Sequence, residues 1–332
     1  MLSMHMANEL LTPPVAVGFI VVAAAVLAFA SWRTRVRFDP AKIPLMGVMG
    51  AFVFAAQMIN FPVLPGTSGH FVGGVLLAIL LGPHAATLVM ASILIVQCLI
   101  FQDGGLLALG TNILNMGVIP CYVGYGLFNL VAGRMPGAGR LYAAVFVASM
   151  IGIVAGAAMV PVEVALSGVA SVPLSQFLLV MVGMHLLIAL GEAVITFLVI
   201  GYLSKVRPQS LGAVAEKLRP AGAGLSRGTV LASLLIVALL LGGVVSHLAS
   251  PFPDALESKT SPENVTANVL VKANENPIVE KVSQFQERTA PLPDYQWTSF
   301  SGIIGTVLTL FIVYLTGRAL RRQPDATSAA PK

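Results

Sequence analysis

Charge is what this sequence has least of. Only 10% of its 332 residues are Asp, Glu, Lys or Arg, against 57% hydrophobic, whereas soluble domains carry about 25% charged residues to solvate their surface. That shortage excludes a water-soluble fold. Cysteine is scarce as well: Cys98 and Cys121 each sit inside an apolar run without Cys-x-x-Cys spacing. A disulfide framework and a thiolate metal site are thereby excluded, and both residues read as small core side chains. No Gly-x4-Gly-Lys-Ser/Thr motif occurs, so ATP hydrolysis by the P-loop route is excluded too. The first apolar run ends in Trp32-Arg33-Thr34-Arg35 rather than a small-residue cleavage site, so no cleavable signal peptide is expected. The formal charge of +5 reflects topology, as its placement shows below, and not a nucleic-acid partner.

What abounds is long apolar runs. Candidate spans fall near 15–32, 43–62, 70–82, 84–101, 106–133, 141–168, 172–203, 229–248 and 299–317. The expected fold is an all-α membrane protein of about nine transmembrane helices in contact with lipid. The 70–82 run is short, reaching about 20 Å against a hydrocarbon core of about 30 Å. It is either a short helix turning at Gly82-Pro83 into 84–101 or part of one kinked rod. Charge separates these, because cytoplasmic loops collect Lys and Arg. A hairpin places all of the 19 basic residues inside except Lys259, Lys272, Lys281 and Arg288, whereas a rod reverses everything downstream. With the hairpin, a multi-pass plasma-membrane protein has its N-terminus, the loop 63–69, the turn 101–105 and the segment 249–298 outside, and its C-terminus inside. Residues 1–203 form a seven-span bundle, 204–228 a cytoplasmic linker, and 229–322 an accessory module of two spans around the outer loop 249–298.

Polar side chains within spans are costly enough to mark function. The polar side chains in or near the spans are His5, Glu9, Gln57, Asn60, His70, His84, Gln97, Asp103, Asn112, Asn115, Glu163, His185, Glu192 and His247. His5 and His70 stand out, because the topology puts both outside and imidazole is a good ligand for nickel, cobalt, copper and zinc. The plainer alternative makes His70 a helix cap and His5 a solvated terminal residue. If translation starts at Met4, its amine, the deprotonated His5 peptide nitrogen and the His5 imidazole chelate one ion nearly in a plane. His70 then completes a square of four nitrogens, which suits Ni(II) or Cu(II). The lack of thiolates and of a carboxylate cluster argues against structural zinc and against magnesium or calcium.

Gln57, Asn60 and Ser68 flank the candidate site, where they either orient the ligands or satisfy nearby backbone. Asp103, beside two glycines, either closes over the site or ends a helix. His185 and Glu192 lie two helical turns apart on one face. They are either a proton relay, as in a self-sufficient proton-coupled secondary metal transporter, or interhelical hydrogen-bonding groups. Gly47, Ala51 and Ala55 form a small-residue stripe suited to docking a partner helix. Gly66-Thr67-Ser68-Gly69 has the form seen in rhomboid-type proteases, but the metal reading accounts for both Ser68 and His70.

Four motifs stand in order within about 1–205: Met4-His5-Met6-Ala7-Asn8-Glu9-Leu10-Leu11, Gln57-Met58-Ile59-Asn60-Phe61-Pro62, Gly66-Thr67-Ser68-Gly69-His70 and Asp103-Gly104-Gly105-Leu106-Leu107-Ala108-Leu109-Gly110. This series resembles the CbiM/NikM family, the substrate-capture components of energy-coupling factor transporters for cobalt and nickel. The resemblance implies an ion held by the terminal amine, by the amide and imidazole of the His after the initiator Met, and by the His of the Gly-rich loop. These fall here on Met4, His5 and His70. Three residues precede Met4, so the resemblance implies a start at Met4. The region 249–317, with Pro253-Asp254-Ala255-Leu256-Glu257 and Pro291-Leu292-Pro293-Asp294-Tyr295, resembles the PDGLE-type N component, with Ala255 where that motif has Gly. Ni2+ or Co2+ is then the transported substrate, with no organic cofactor. A planar nitrogen set and the N-like module favour nickel; the alternative is cobalt import for cobalamin synthesis. The implied partners are a transmembrane coupling subunit of CbiQ/NikQ type and cytoplasmic ATPases of CbiO/NikO type, the chain itself being no enzyme.

Overall fold

Backbone N–H and C=O groups find no water inside a bilayer, so apolar runs satisfy them internally as helices. The computed structural model describes residues 5–37, 39–64, 67–133, 138–206, 225–250, 252, 271–272 and 274–321. Among these, seven helices are long and apolar enough to cross a membrane. They are α1 (Pro13–Arg37), α2 (Ile43–Gln57, with a 3-10 lead-in from Pro40), α4 (Pro83–Ile100), α5 (Leu109–Ala132), α6 (Ala138–Leu166), α7 (Leu174–Val206) and α10 (Thr298–Ala319). Two further apolar helices, α3 (Gly74–Leu81) and α8 (Arg227–Gly243), have 8 and 17 residues. The fold is an all-α membrane protein, although the expected count of nine spans is not met by length alone. A polar helix, α9 (Pro277–Thr289), lies between α8 and α10.

The run 43–62 is not one span. Helix α2 stops at Gln57, and the chain turns into β1 (Asn60–Leu64), paired antiparallel with β2 (Thr67–His70). Pro62 cannot donate in a helix and holds Phe61 in an extended conformation. Part of the expected outer loop 63–69 is therefore a hairpin, in which Asn60 faces His70.

Helix α3 does reverse at Gly82. Lys42 Nζ, at the start of α2, donates to Leu80 O at 3.2 Å. At the other end of α2, Gln57 Nε2 donates to Val72 O at 2.7 Å and Gln97 Nε2 to Gln57 Oε1 at 2.8 Å. Thus α3 runs away from Gln57 and α4 returns to it, with Gly82 at φ 85° making the corner. All eight α3 residues are buried, so this short helix is sheathed by protein and does not have to match the bilayer. The backbone leading into it is held by Glu192 of α7, whose carboxylate accepts from Val72 N at 2.9 Å and from the N-cap Gly73 N at 3.1 Å.

Basic side chains collect at one end of the bundle. Arg33 and Arg35 close α1, Lys42 precedes α2, Arg140 opens α6, Lys205 closes α7, Arg227 opens α8 and Arg318 closes α10. Arg227 donates to Ala41 O and Leu225 N to Val206 O, tying that end together.

The accessory helices pack on α2. A Cβ at Gly47 would meet Leu310 O at 3.3 Å and Tyr314 Cβ at 3.4 Å, both on α10. The small-residue stripe of Gly47, Ala51 and Ala55 therefore belongs to the chain's own interior and not to a partner docking face. A hydropathy pattern shows that something approaches closely, but not what.

Candidate metal centre

The N-terminal segment enters the bundle at its less basic end and is buried: His5 is 3% exposed and Met6 1%. Main-chain groups fix its path. Met6 N donates to Asn112 Oδ1 at 3.0 Å, Asn112 Nδ2 returns to Met6 O at 3.1 Å, and Gly105 N reaches the same carbonyl at 2.8 Å. Gly104, at φ 87°, lies so near that a Cβ there would come within 2.8 Å of His5 Cβ. The Asp103-Gly104-Gly105 turn thus has to be glycine-rich to receive this segment.

Strand β2 brings His70 to the same place. The two imidazole centres are 5.6 Å apart and inclined by 50°. Two imidazoles sharing one ion about 2 Å from a nitrogen of each keep their centres within roughly 6 Å, so the observed spacing admits a shared ion. His70 Nδ1 lies 3.0 Å from Phe71 O. A carbonyl only accepts, so Nδ1 carries the proton and the neutral ring's lone pair is on Nε2.

His5 Nδ1 meets Asp103 Oδ1 at 2.7 Å, and Tyr295 donates its hydroxyl to Asp103 Oδ2 at 2.7 Å. Asp103 does follow the end of α4, but its carboxylate is buried and grips the histidine. Tyr295 stacks on Phe101 at 4.6 Å and 12°, while Leu292 N and Asp294 N donate to Ile100 O and Phe101 O at 3.0 and 2.9 Å. Burial and the adjacent Asp103 push the Tyr295 hydroxyl well above its ordinary range, so it stays a proton donor.

The accessory module holds the segment at further points. Asn8 Nδ2 donates to Gln286 Oε1 at 3.0 Å and Ser283 Oγ at 3.1 Å. Gln286 Nε2 donates to Gly104 O at 2.7 Å, and Asn274 Nδ2 to Glu9 O and Leu11 O at 3.1 and 3.0 Å. Sequence gives Tyr295 only as the last residue of a motif and does not single out Gln286 or Asn274. Their partners lie 192, 182 and 265 or 263 residues away, too far for a local pattern to reveal.

A cavity of about 70 Å³ is bordered by both histidines and by Met6, Asn115, Met181 and His185. Asn115 sits in a π-helical stretch of α5 (Ile113–Val118), a deviation that often marks functional sites. Its side chain donates to Glu163 Oε2 at 2.7 Å.

The remaining sequence candidates are dispersed. Gln57 supports Val72, two residues beyond His70. Asn60 is the cross-strand neighbour of His70. Ser68 donates to Phe252 O at 2.7 Å. His185 Nδ1 bonds its own helix at Met181 O, 2.8 Å away, and Glu192 is engaged with Val72 and Gly73, so the two share no bond and form no direct relay. Glu192 instead bonds the backbone that leads from β2 into α3. Cys98 and Cys121 are free and buried. Met4 and the Pro253–Glu257 motif, with Ala255, lie outside the described residues, as does most of the 204–228 linker. Among the described residues no group of three or more His, Cys, Asp or Glu could hold a metal. Two imidazoles alone do not fill a coordination sphere, which leaves a role for backbone ligands.

The chain matches two family models. Residues 5–210 match the CbiM model, described as the cobalt uptake substrate-specific transmembrane region, and residues 228–322 match the PDGLE domain. It is 34% identical over 319 residues to a putative fused nickel transport protein NikMN of Archaeoglobus fulgidus, covering 96% of this chain and 99% of that protein. It is 30% identical over 258 residues to the fused nickel transport protein NikMN of Rhodobacter capsulatus, covering 71% and 73%. A crystal structure described as a transition metal transporter superposes with a TM-score of 0.54 at 32% identity, covering 61% of this chain and 93% of that one.

Proposed function

Since the chain belongs to the CbiM family of cobalt uptake substrate-specific transmembrane regions, with a PDGLE domain behind it, we propose that it captures a nickel or cobalt ion at the outer face of the plasma membrane. It is a metal transport protein and not an enzyme. The observation that carries the capture reading is the meeting of His5 and His70, 5.6 Å apart, at the end of the bundle opposite the basic residues. The positive-inside rule makes that basic end cytoplasmic, which supports an outer location for the histidines and the N-terminus and an inner one for the C-terminus.

The ligand set we propose is the amine of Met4, the peptide nitrogen and imidazole of His5, and the imidazole of His70. Four nitrogens near a plane favour nickel over cobalt, and the NikMN relatives, named for nickel, lend support. As the substrate-capture component of an energy-coupling factor importer, the chain would work with a transmembrane coupling subunit and cytoplasmic ATPases, whose ATP-driven movement releases the ion inside. Residues 1–203 would hold the ion and 229–322 would support the site.

Metal analysis of the purified protein, together with mass-spectrometric sequencing of its mature N-terminus, tests this reading. One nickel or cobalt per chain is expected in the wild type and none in His5→Ala or His70→Ala. Stoichiometric retention by either variant refutes the four-nitrogen site. Uptake of labelled metal that persists in cells lacking the ATPases refutes the energy-coupling assignment.

A further inference from the structure

Chelation determines which nitrogen of His5 an ion can use. A metal bonded to the His5 peptide nitrogen closes a small ring through Cα, Cβ, Cγ and Nδ1. The Nε2 atom lies on the far side of the imidazole and cannot reach the same ion. In this structure Nδ1 is bonded to Asp103 Oδ1 at 2.7 Å, with both side chains almost wholly buried. The bond to Asp103 and a metal bond at Nδ1 exclude one another, since one nitrogen cannot donate a proton and a lone pair at once.

We propose that Asp103 competes with the ion for Nδ1 of His5, so that capture is an exchange at that nitrogen, and that the exchange is felt by the accessory module through Tyr295. This rests on the capture reading above. In the exchange the proton on Nδ1 leaves by way of solvent, and Nε2 carries one. The Nδ1 lone pair becomes the ligand, and Asp103 parts from the ring as a carboxylate while still accepting the Tyr295 O–H. The proton displaced from the His5 peptide nitrogen also leaves to solvent, and nothing is oxidised.

The geometry suits such an exchange. Asp103 does not depend on His5 for its position: its N–H donates to Gln97 O at 3.0 Å, and Tyr295 holds its other oxygen. Tyr295 is in turn fixed by its stack on Phe101. An ion that detaches His5 from Asp103 therefore changes the charge environment of a tyrosine that belongs to the accessory module.

The opposite role for Asp103 is also chemically well defined. A carboxylate that orients a histidine so that Nε2 ligates the metal strengthens binding, and its loss weakens affinity about 10- to 100-fold. The two roles thus predict opposite signs. Nickel titration of the purified full chain by calorimetry distinguishes them, using Asp103→Ala and the isosteric Asp103→Asn, which guards against loss of fold. Exchange requires both variants to bind nickel more tightly, Asp103→Ala by about tenfold or more, the worth of a hydrogen bond to a charged group, and Asp103→Asn by less. It also requires a nickel-induced near-ultraviolet difference in the wild type that disappears in Tyr295→Phe. Weaker or unchanged affinity in both Asp103 variants overturns the competition, and a difference spectrum that survives Tyr295→Phe overturns the coupling. If the wild type retains nickel and His70→Ala does not, either result counts against exchange alone. If the wild type retains none, it is the capture reading that fails.

Discussion

His70 and His5 face one cavity from two walls that are built differently. Behind His70 the chain is held by the spans themselves: Gln57 of α2 takes Val72 O, and Glu192 of α7 accepts from Val72 N and Gly73 N. No water competes for these groups within the bundle, so each unmade bond costs its full desolvation penalty. Behind His5 the chain is held partly by Asn112 of α5, which takes Met6 N and Met6 O, and partly by elements nearer the surface, among them Ser283 and Asn274 of the accessory module. Water can replace several of them, so each is worth only about 0.5–1.5 kcal/mol net. One wall is part of the fold, and the other is docked to it. An ion site so built can open on one side without loss of the bundle.

The most severe way to break this contrast is to weaken the fixed wall. Glu192→Ala leaves the Val72 and Gly73 N–H groups buried without an acceptor at the start of α3. Two such groups cost roughly 2–5 kcal/mol, expected as a marked drop in the midpoint of thermal unfolding in detergent. Ion affinity should fall with it, because the backbone that carries His70 loses its anchor. A melting midpoint equal to that of the wild type would falsify the claim that this wall is part of the fold.

Sequence makes the two walls legible to different degrees. The helices can be read because hydropathy reports lipid contact directly, and Gly82-Pro83 with the basic residues shows the reversal of α3. The β1–β2 hairpin cannot, since Phe61-Pro62-Val63-Leu64 prolongs the apolar run of α2 and hydropathy does not distinguish a strand from the end of a span. His5 and His70 can be found from residue type and from the resemblance of their motifs. The grip of Asp103 on His5 spans 98 residues, and that of Tyr295 on Asp103 spans 192. No local pattern encodes such separations. Glu192 illustrates the same limit: its two-turn spacing from His185 suggests a relay, but the folded chain turns the carboxylate to α3 instead.

An intermediate effect is expected from undocking the second wall. Gln286→Ala removes the donor to Gly104 O and the acceptor for Asn8 Nδ2 and Leu106 N. The change should cost about 1–3 kcal/mol, confined to the docked elements. Hydrogen exchange should quicken at residues 5–12 and 104–107 while the spans keep their protection. Protection lost equally across α2 and α4 would mean that the two walls form one cooperative unit, and the contrast between them would be gone.

The smallest effect sharpens the comparison from the other side. Ser68 lies two residues before His70 on β2, close enough in sequence to suggest a place beside the ion. Its hydroxyl nevertheless donates to Phe252 O, in a residue 45% exposed, where water can take over. Ser68→Ala should therefore cost only about 0.5–1 kcal/mol and leave nickel affinity within about twofold, since 1.4 kcal/mol would be needed for tenfold. A tenfold loss of affinity would show that the hairpin transmits small changes at Ser68 to His70. The wall that carries His70 would then be no more rigid than the one that carries His5.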